Sequence, residues 1–395
     1  MREYRRLWLA DVQSLVGDQL ARVALSVLVY SHTGSGLLTA GVYALTYLPS
    51  LLAGVLLGRL ADRLPPRSLL VAGDLIRAGL LALMAVPAVP LPLVVVFLVL
   101  AVVVGTPWKA AESALVAEIL AGEGYVVGVG LRVATVQAAQ LIGFAVGGAV
   151  VAAVGARTAL GVDAGTFAVS AALMRWGLAR RAAAGGSSDG PERASWWSGI
   201  SVAFATERLR VLLGLSWLAG LFVVPEGLAA PYAASVHGGP GTVGVFLAAN
   251  PAGMLVAAVL FSRWLPAQVR SRAVGPMAVA AGLPLLGFWA APSLALATIL
   301  LALSGAASAY QIQVMTEFVT TVPRAGRGQA IAVASSGLLA AQGLGLIAGG
   351  ALAQVWHVEA AIAVAGAVGT LSAAGLAVAH QRSSGHRSRS ASLAH

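Results

Sequence analysis

Twelve stretches of this chain, most of them close to twenty residues long or longer and all nearly free of charge, leave few options for its fold. A helix rises about 1.5 Å per residue, so about 20 apolar residues cross the roughly 30 Å hydrocarbon layer of a bilayer. The stretches run at about 7–30, 37–58, 68–86, 91–109, 125–154, 158–178, 211–230, 241–261, 273–291, 293–318, 329–355 and 359–379. Charged residues make up only 10% of the chain, where about 25% is usual in a globular domain. Polar side chains are therefore too few to coat a globule, and a mean hydropathy of +0.86 makes lipid the missing coat. A water-soluble fold is excluded. The expected fold is all-α, a polytopic membrane protein with twelve transmembrane helices.

The formal charge of +10 comes from 24 arginines and a single lysine against 15 acids. In a soluble chain such an excess would point to nucleic acid. Here the arginines recur in short clusters between apolar stretches, as cytoplasmic loops do under the positive-inside rule, so no nucleic-acid partner is expected. With the N-terminus inside, twenty of the 25 cations fall on the cytoplasmic side. The exceptions are Arg22, Arg77, Lys109 and Arg132 within spans and Arg157 in an external turn. The basic N-terminus leads into an apolar stretch too long for a signal peptide and lacks a small-residue cleavage pattern, so it reads as a retained first span. Both termini are expected in the cytoplasm, and the arginine-rich, lysine-poor usage suits the plasma membrane of a high-GC bacterium. Cysteine is absent, which removes thiol chemistry and cysteine metal sites.

The longest polar interruption, 179–198, carries Gly185-Gly186-Ser187-Ser188-Asp189-Gly190-Pro191, a solvated linker composition. It separates a six-helix half, 1–178, from a second, 199–379, followed by a basic tail, 380–395. A shift of 202 places puts Arg208-Leu209 on Arg6-Leu7, Gln342 on Gln140 and Gly349-Gly350 on Gly147-Gly148. Two parallel six-span repeats are the build of alternating-access carriers. Spans five and eleven each carry a small-residue stripe, Gly143 with Gly147 and Gly345 with Gly349. Such stripes serve helix packing, or close each span against the opposite half.

Gly58-Arg59-Leu60-Ala61-Asp62-Arg63-Leu64-Pro65-Pro66-Arg67 resembles the Gly-x-Leu-Ala-Asp-Arg-x-Gly-Arg-Arg signature of the major facilitator superfamily, with Pro65 where the family has glycine. Leu7-Trp8-Leu9-Ala10 with Gly17-Asp18, Gly73-Asp74-Leu75-Ile76-Arg77, Asp163 to Ser170, and Pro323 to Gln329 are similar to segments of its drug- and macrolide-efflux branch. The arginine motif that drug/proton antiporters carry in span four is missing. The resemblance implies a secondary transporter that exports a small amphipathic organic molecule by proton antiport, as a monomer without a cofactor. It also implies that spans one, four, seven and ten line a cavity, to which they would offer Trp108, Trp217, Phe222, Tyr310, Gln311 and Gln313. Trp217 and Gln313 are the favoured substrate contacts. Aromatic faces and amides suit an amphipathic cation, although Trp and Tyr near span ends also mark the lipid interface.

An ionised side chain at mid-bilayer costs about 2.5 to 3.5 kcal/mol, so it usually faces protein or water and has a partner. Asp18 and Arg22 are four apart on one helical face, a coupling site or a permanent salt bridge. Asp163 has no cation three or four residues away and is a candidate proton carrier, or it bonds a neighbouring helix. Glu226, between Pro225 and Gly227, sits in a broken helix beside the cavity or at its mouth. Asp62, Arg63, Asp74 and Arg77 read as a conformational lock, with Arg132, Glu112 and Glu118 as candidate partners.

No Gly-x-x-x-x-Gly-Lys-Ser/Thr loop occurs, which disfavours an ATP-driven pump. All six histidines, His32, His237, His357, His380, His386 and His395, fall in external turns or the tail. A serine-histidine dyad or a histidine metal site at membrane depth is therefore not expected; an aspartate dyad from Asp18, Asp74 or Asp163 is not excluded by that placement, but the two-half repeat disfavours an enzyme. A proton-coupled nutrient importer and a non-transporting receptor remain the competing readings.

Overall fold

The computed structural model describes residues 2–57, 60–120, 123–179, 181, 196–264, 266–323 and 326–392. Among them the first half of the chain forms α1 (Arg2–Thr33), α2 (Gly36–Ala44), α3 (Leu48–Leu57), α4 (Leu60–Arg63), α5 (Pro66–Ala85), α6 (Leu91–Ile119), α7 (Glu123–Val154) and α8 (Ala156–Gly177). The second half forms α9 (Trp196–Ala203), α10 (Glu207–Trp217), α11 (Ala219–Phe222), α12 (Val224–Gly227), α13 (Ala229–Ser235), α14 (Pro240–Trp264), α15 (Ala267–Leu286), α16 (Leu294–Ser308), α17 (Tyr310–Thr321), α18 (Arg327–Val355) and α19 (Val358–Ser392). This is a multi-pass membrane protein built from two six-span halves.

Among the described residues, eleven segments are long and apolar enough to cross a bilayer. The remaining span, α8, has the length at 22 residues but is less apolar, because one face carries Asp163, Thr166 and Ser170. Asp163 and Ser170 are buried. Between α7 and α8 the chain turns on Gly155 at φ 82, a left-handed conformation that glycine adopts without a Cβ penalty. Arg157, the cation expected outside, caps the end of α5: its guanidinium donates to the carbonyls of Met84, Val86 and Val89 at 2.8 to 2.9 Å. The last carbonyls of a helix lack intrahelical partners and carry partial negative charge, which accounts for a cation there.

Span seven is broken into α10 to α13. Pro225 and Pro231 supply no N–H, and the ladder tightens so that Glu226 N–H reaches Val223 O at 2.9 Å and Leu228 N–H reaches Pro225 O at 3.2 Å. Span ten breaks at Ala309, where Ser308 Oγ donates back to Ser304 O at 2.9 Å, a local bond that competes with the helical ladder.

The shift of 202 places recurs in three dimensions. It maps the starts of α2, α5, α6, α7 and α8 to within two residues of the starts of α14, α15, α16, α18 and α19. In both halves the fifth span packs on the first through small residues. A Cβ at Gly143 would lie 2.8 Å from Val16 O, and one at Gly147 2.9 Å from Leu20 Cα. Equivalently, a Cβ at Gly345 would overlap Gly220 O, and one at Gly349 would overlap Val224. The glycine stripes thus pack each half on itself. Gly148, beside the first stripe, is pressed on Gly244, its Cβ position 2.6 Å from the Gly244 Cα.

Two compact units result: Met1–Gly190 with Ala229–Ala248, and Pro191–Leu228 with Ala249–His395. The segment from α13 into α14 therefore groups with the first unit, where Tyr232 stacks on Phe246 at 4.5 Å. One apolar cluster of that unit brings Leu7, Leu70, Trp108, Leu115 and Met174 together from α1, α5, α6 and α8.

Candidate functional site

The polar residues Asp163, Thr166 and Ser170 of α8, with Phe167 among them, recur at the three-and-four spacing that lines one face of a helix. That face meets α1 and α5. Gln13 Nε2 donates to Thr166 O at 2.6 Å, and Ser170 Oγ donates to Asp74 Oδ2 at 2.6 Å. The guanidinium of Arg77 lies 3.9 Å from the centre of the Phe167 ring and pairs with Asp18 at 2.7 Å. The segments around Gly17-Asp18, Asp74 to Arg77 and Asp163 to Ser170 therefore converge in the first unit.

Asp163 is fully buried. Its Oδ1 accepts from Thr166 Oγ1 at 2.9 Å, and its Oδ2 has no hydrogen-bond partner among the described residues. The carboxyl presses on the backbone of α1 where Gly17 leaves room, since a Cβ there would overlap Oδ1 and stand 2.6 Å from Thr166 Oγ1. Asp74 is buried as completely, with Oδ1 unpartnered among the described residues.

The partner of Asp18 is thus Arg77, in place of the Arg22 suggested by their spacing. Arg22, one turn along α1, donates to the Tyr47 hydroxyl at 3.1 Å and lies over the Tyr43 and Tyr47 rings at 5.5 and 5.0 Å. Those two rings offer a cation a second place to settle. Asp74 and Arg77, read as part of a lock with Arg132, Glu112 or Glu118, lie in the cluster with Asp18 and Asp163. Glu118 pairs with Arg181 at 2.9 Å. Asp62 and Arg63 lie in α4, with Arg63 exposed. The side chains of Asp62 and Arg132 lie outside the described residues.

Lys109 does not end its span. The helix α6 continues to Ile119, so Lys109 is an exposed cation within it, in electrostatic reach of Asp18, Arg77, Arg22 and Asp11. Asp11, buried two turns before Asp18 on the same face, was legible from that spacing of seven.

Three of the four aromatic residues expected to line a cavity, Trp108, Phe222 and Tyr310, are buried in packing contacts, and Trp217 is partly buried. Trp108 lies in the apolar cluster of the first unit. Tyr310 is fully buried with its hydroxyl donating to Leu215 O at 2.9 Å. Phe222 is buried against Gly369. Trp217 donates to Ala334 O at 3.1 Å and covers Gly337. Gln311 donates to Ser216 O at 3.4 Å, and Gln313 to Glu317 Oε1 at 3.2 Å. Glu226, in α12, is partly buried.

Glu317 is the acid that sequence reasoning passed over. It is buried, accepts from Ser271 at 2.7 Å and pairs with Arg208 at 3.2 Å. His380, expected in the tail, is buried in α19 with Nε2 3.8 Å from Glu317. The helix simply continues past the last span. Among the described residues no group of acids and histidines is arranged to hold a metal ion.

A model of the Major Facilitator Superfamily matches residues 7–228. The chain belongs to that superfamily. Solved structures place this major facilitator chain among membrane transporters in fold. A peptide transporter POT bound to sulfate is 13% identical, with a TM-score of 0.73 over 96% of this chain and 94% of that one. The nucleoside transporter NupG is 15% identical, with a TM-score of 0.73 over 95% and 99%. A bacterial homologue of the human lysosomal transporter Spinster, inward-facing and unoccupied, is 15% identical, with a TM-score of 0.62 over 96% and 95%. A search of curated protein sequences returns no match. The protein is a major facilitator transporter, and its role is transport, not catalysis.

Proposed function

We propose that this transporter exports a small amphipathic organic molecule, a drug or secondary metabolite, by proton antiport with alternating access, and that Asp163 takes up and releases the proton. The observation that carries this reading is a fully buried carboxyl with one oxygen unpartnered among the described residues, beside the Asp18–Arg77 ion pair. A buried carboxylate needs a cation or hydrogen-bond donors, and a proton is the alternative. Arg77 lies on the ring of Phe167, four residues from Asp163 on the same helix. With Asp163 protonated, Arg77 serves Asp18. Once the proton leaves, a further negative charge joins Asp18 and Asp74 around Arg77, and the packing of α1, α5 and α8 must adjust.

One proton suffices for the work. A charge crossing 100 mV gains about 2.3 kcal/mol, and half a pH unit adds about 0.7. Together they sustain about a hundredfold substrate gradient.

The test is uptake of lipophilic cations, macrolides and peptides into inverted membrane vesicles, with and without a protonophore. Export predicts uptake that the protonophore abolishes, and loss of uphill but not downhill flux in Asp163→Asn. Uphill transport that survives both treatments refutes the assignment of Asp163. Flux in the opposite sense refutes export.

A further inference from the structure

A groove of about 460 Å³ lies away from the Asp18–Arg77–Asp163 cluster, along the first turns of α5 beside the end of α8. Its volume falls in the roughly 300 to 1,000 Å³ range of small-molecule sites. Arg67, Arg175 and Arg181 line it together with Val71, Ala72 and Leu75, the last three from successive turns of α5.

The three guanidinium groups differ in how they are engaged. Arg181 is bound to Glu3 at 2.5 Å and Glu118 at 2.9 Å, and its hydrogen bond to Glu3 raises its pKa above the ordinary arginine value. Arg67 donates to the backbone carbonyl of Arg175 and has no carboxylate partner among the described residues. Arg175 is exposed and its side chain has no ion-pair or hydrogen-bond partner among them. Two cations thus face the groove without a carboxylate partner among the described residues.

The apolar wall continues onto surface that water would not tolerate. Leu75 and Ile76 are about half exposed, and Trp176, beside Arg175, is 78% exposed. In a membrane-spanning chain such a surface faces acyl chains, and an exposed Trp next to arginines marks the headgroup level. The arginine-rich ends of the spans are the ends that the charge distribution assigns to the cytoplasm, whose leaflet carries anionic lipid.

We infer that this groove binds an anionic glycerophospholipid, with its phosphate between Arg67 and Arg175 and an acyl chain along Val71, Ala72 and Leu75. Charge complementarity selects the headgroup: Arg forks match phosphate oxygens in pairs. Continuity with the lipid-facing wall selects a lipid over a free phosphate, which would leave the apolar part of the groove empty.

Native mass spectrometry of the full-length protein, exchanged from detergent into mixed micelles of phosphatidylglycerol and phosphatidylcholine, reads the occupancy. Phosphatidylglycerol should be retained over phosphatidylcholine. The double variant Arg67→Gln/Arg175→Gln should lose about thirtyfold of that preference, at about fivefold per cation near an anionic surface. Ala72→Trp fills the groove from an exposed position while keeping every charge, and it should also displace the lipid, so the inference does not depend on the arginine variants folding. Glycerol phosphate at millimolar concentration should not compete. Equal retention of the two lipids, retention unchanged in Ala72→Trp, or displacement by glycerol phosphate as effective as by the lipid would each overturn the assignment.

Discussion

Gly17→Ala tests the α1–α8 contact on which the proposed coupling site depends. Its Cβ would stand 2.6 Å from Thr166 Oγ1 and overlap Asp163 Oδ1. Against an ordinary contact of 3.4 Å, the shortfall at Thr166 alone is about 0.8 Å. No soft side-chain end can absorb it, because the Thr166 hydroxyl is tied to Asp163 and its carbonyl to Gln13. Overpacking of this kind costs about 1 to 3 kcal/mol, against which the better helix propensity of alanine returns at most about 1. Gly165→Ala on α8 is the control, since no atom lies within 4 Å of its Cβ position, and it should be neutral or slightly stabilising. Apparent melting in detergent, followed by fluorescence-detected size exclusion, should fall by about 2 to 6 °C for Gly17→Ala and stay level for Gly165→Ala. Asp163→Ala makes room, so the double variant Gly17→Ala/Asp163→Ala should recover most of the loss relative to Asp163→Ala alone. Equal melting of the two glycine variants, or no recovery in the double variant, would refute the close contact.

Arg77→Gln should cost about 3 kcal/mol, because it leaves Asp18 without its cation in a poorly hydrated site; adding Asp18→Asn should restore part of this, and strict additivity in the double-mutant cycle would argue against the pair. Arg157→Ala should lower stability by about 1 to 2 kcal/mol and speed hydrogen exchange at the end of α5, since three carbonyls lose their donor. Gly345→Ala should damage the α11–α18 crossing, where its Cβ would overlap the Gly220 carbonyl, whereas Gly375→Ala, with open space around it, should be silent in the same melting assay.

The spans were legible because their signal is local: length, apolarity and the arginines that end them. The three polar segments of the site were legible one at a time for the same reason. Their convergence was not, because which face of one helix meets another depends on packing across 59 to 145 residues of sequence, as with Asp18, Arg77 and Asp163. Local spacing misled where a local pair had better alternatives. Arg22 has a hydroxyl and two aromatic faces, while Arg77, buried among α1, α5 and α8, has Asp18 and the Phe167 ring. Trp108 and Tyr310, assigned to a cavity, are buried for a different reason. A ring at membrane depth is as useful for close packing as for binding, and composition does not separate the two, as Trp108 in its apolar cluster and Tyr310 with its hydroxyl on Leu215 O show.

The internal repeat bears on the proposed coupling site. Shifted by 202 places, Asp18 falls on Gly220, Arg22 on Val224, Asp74 on Pro276, Arg77 on Val279 and Asp163 on Ala365. The helices correspond, and so does the small-residue crossing of the first and fifth spans in each half. The charges do not. Had the acids served only to hold six spans together, the second half, built to the same plan, would need them equally, yet it packs with glycine, valine, proline and alanine in their places. Its own buried acid, Glu317, is fully engaged by Arg208, Ser271 and Gln313, whereas Asp163 keeps one oxygen unpartnered among the described residues. Ionisable groups that packing does not require, concentrated in one of two halves of the same plan and left partly unpaired there among the described residues, are what the proposed exchange of a proton at Asp163 calls for.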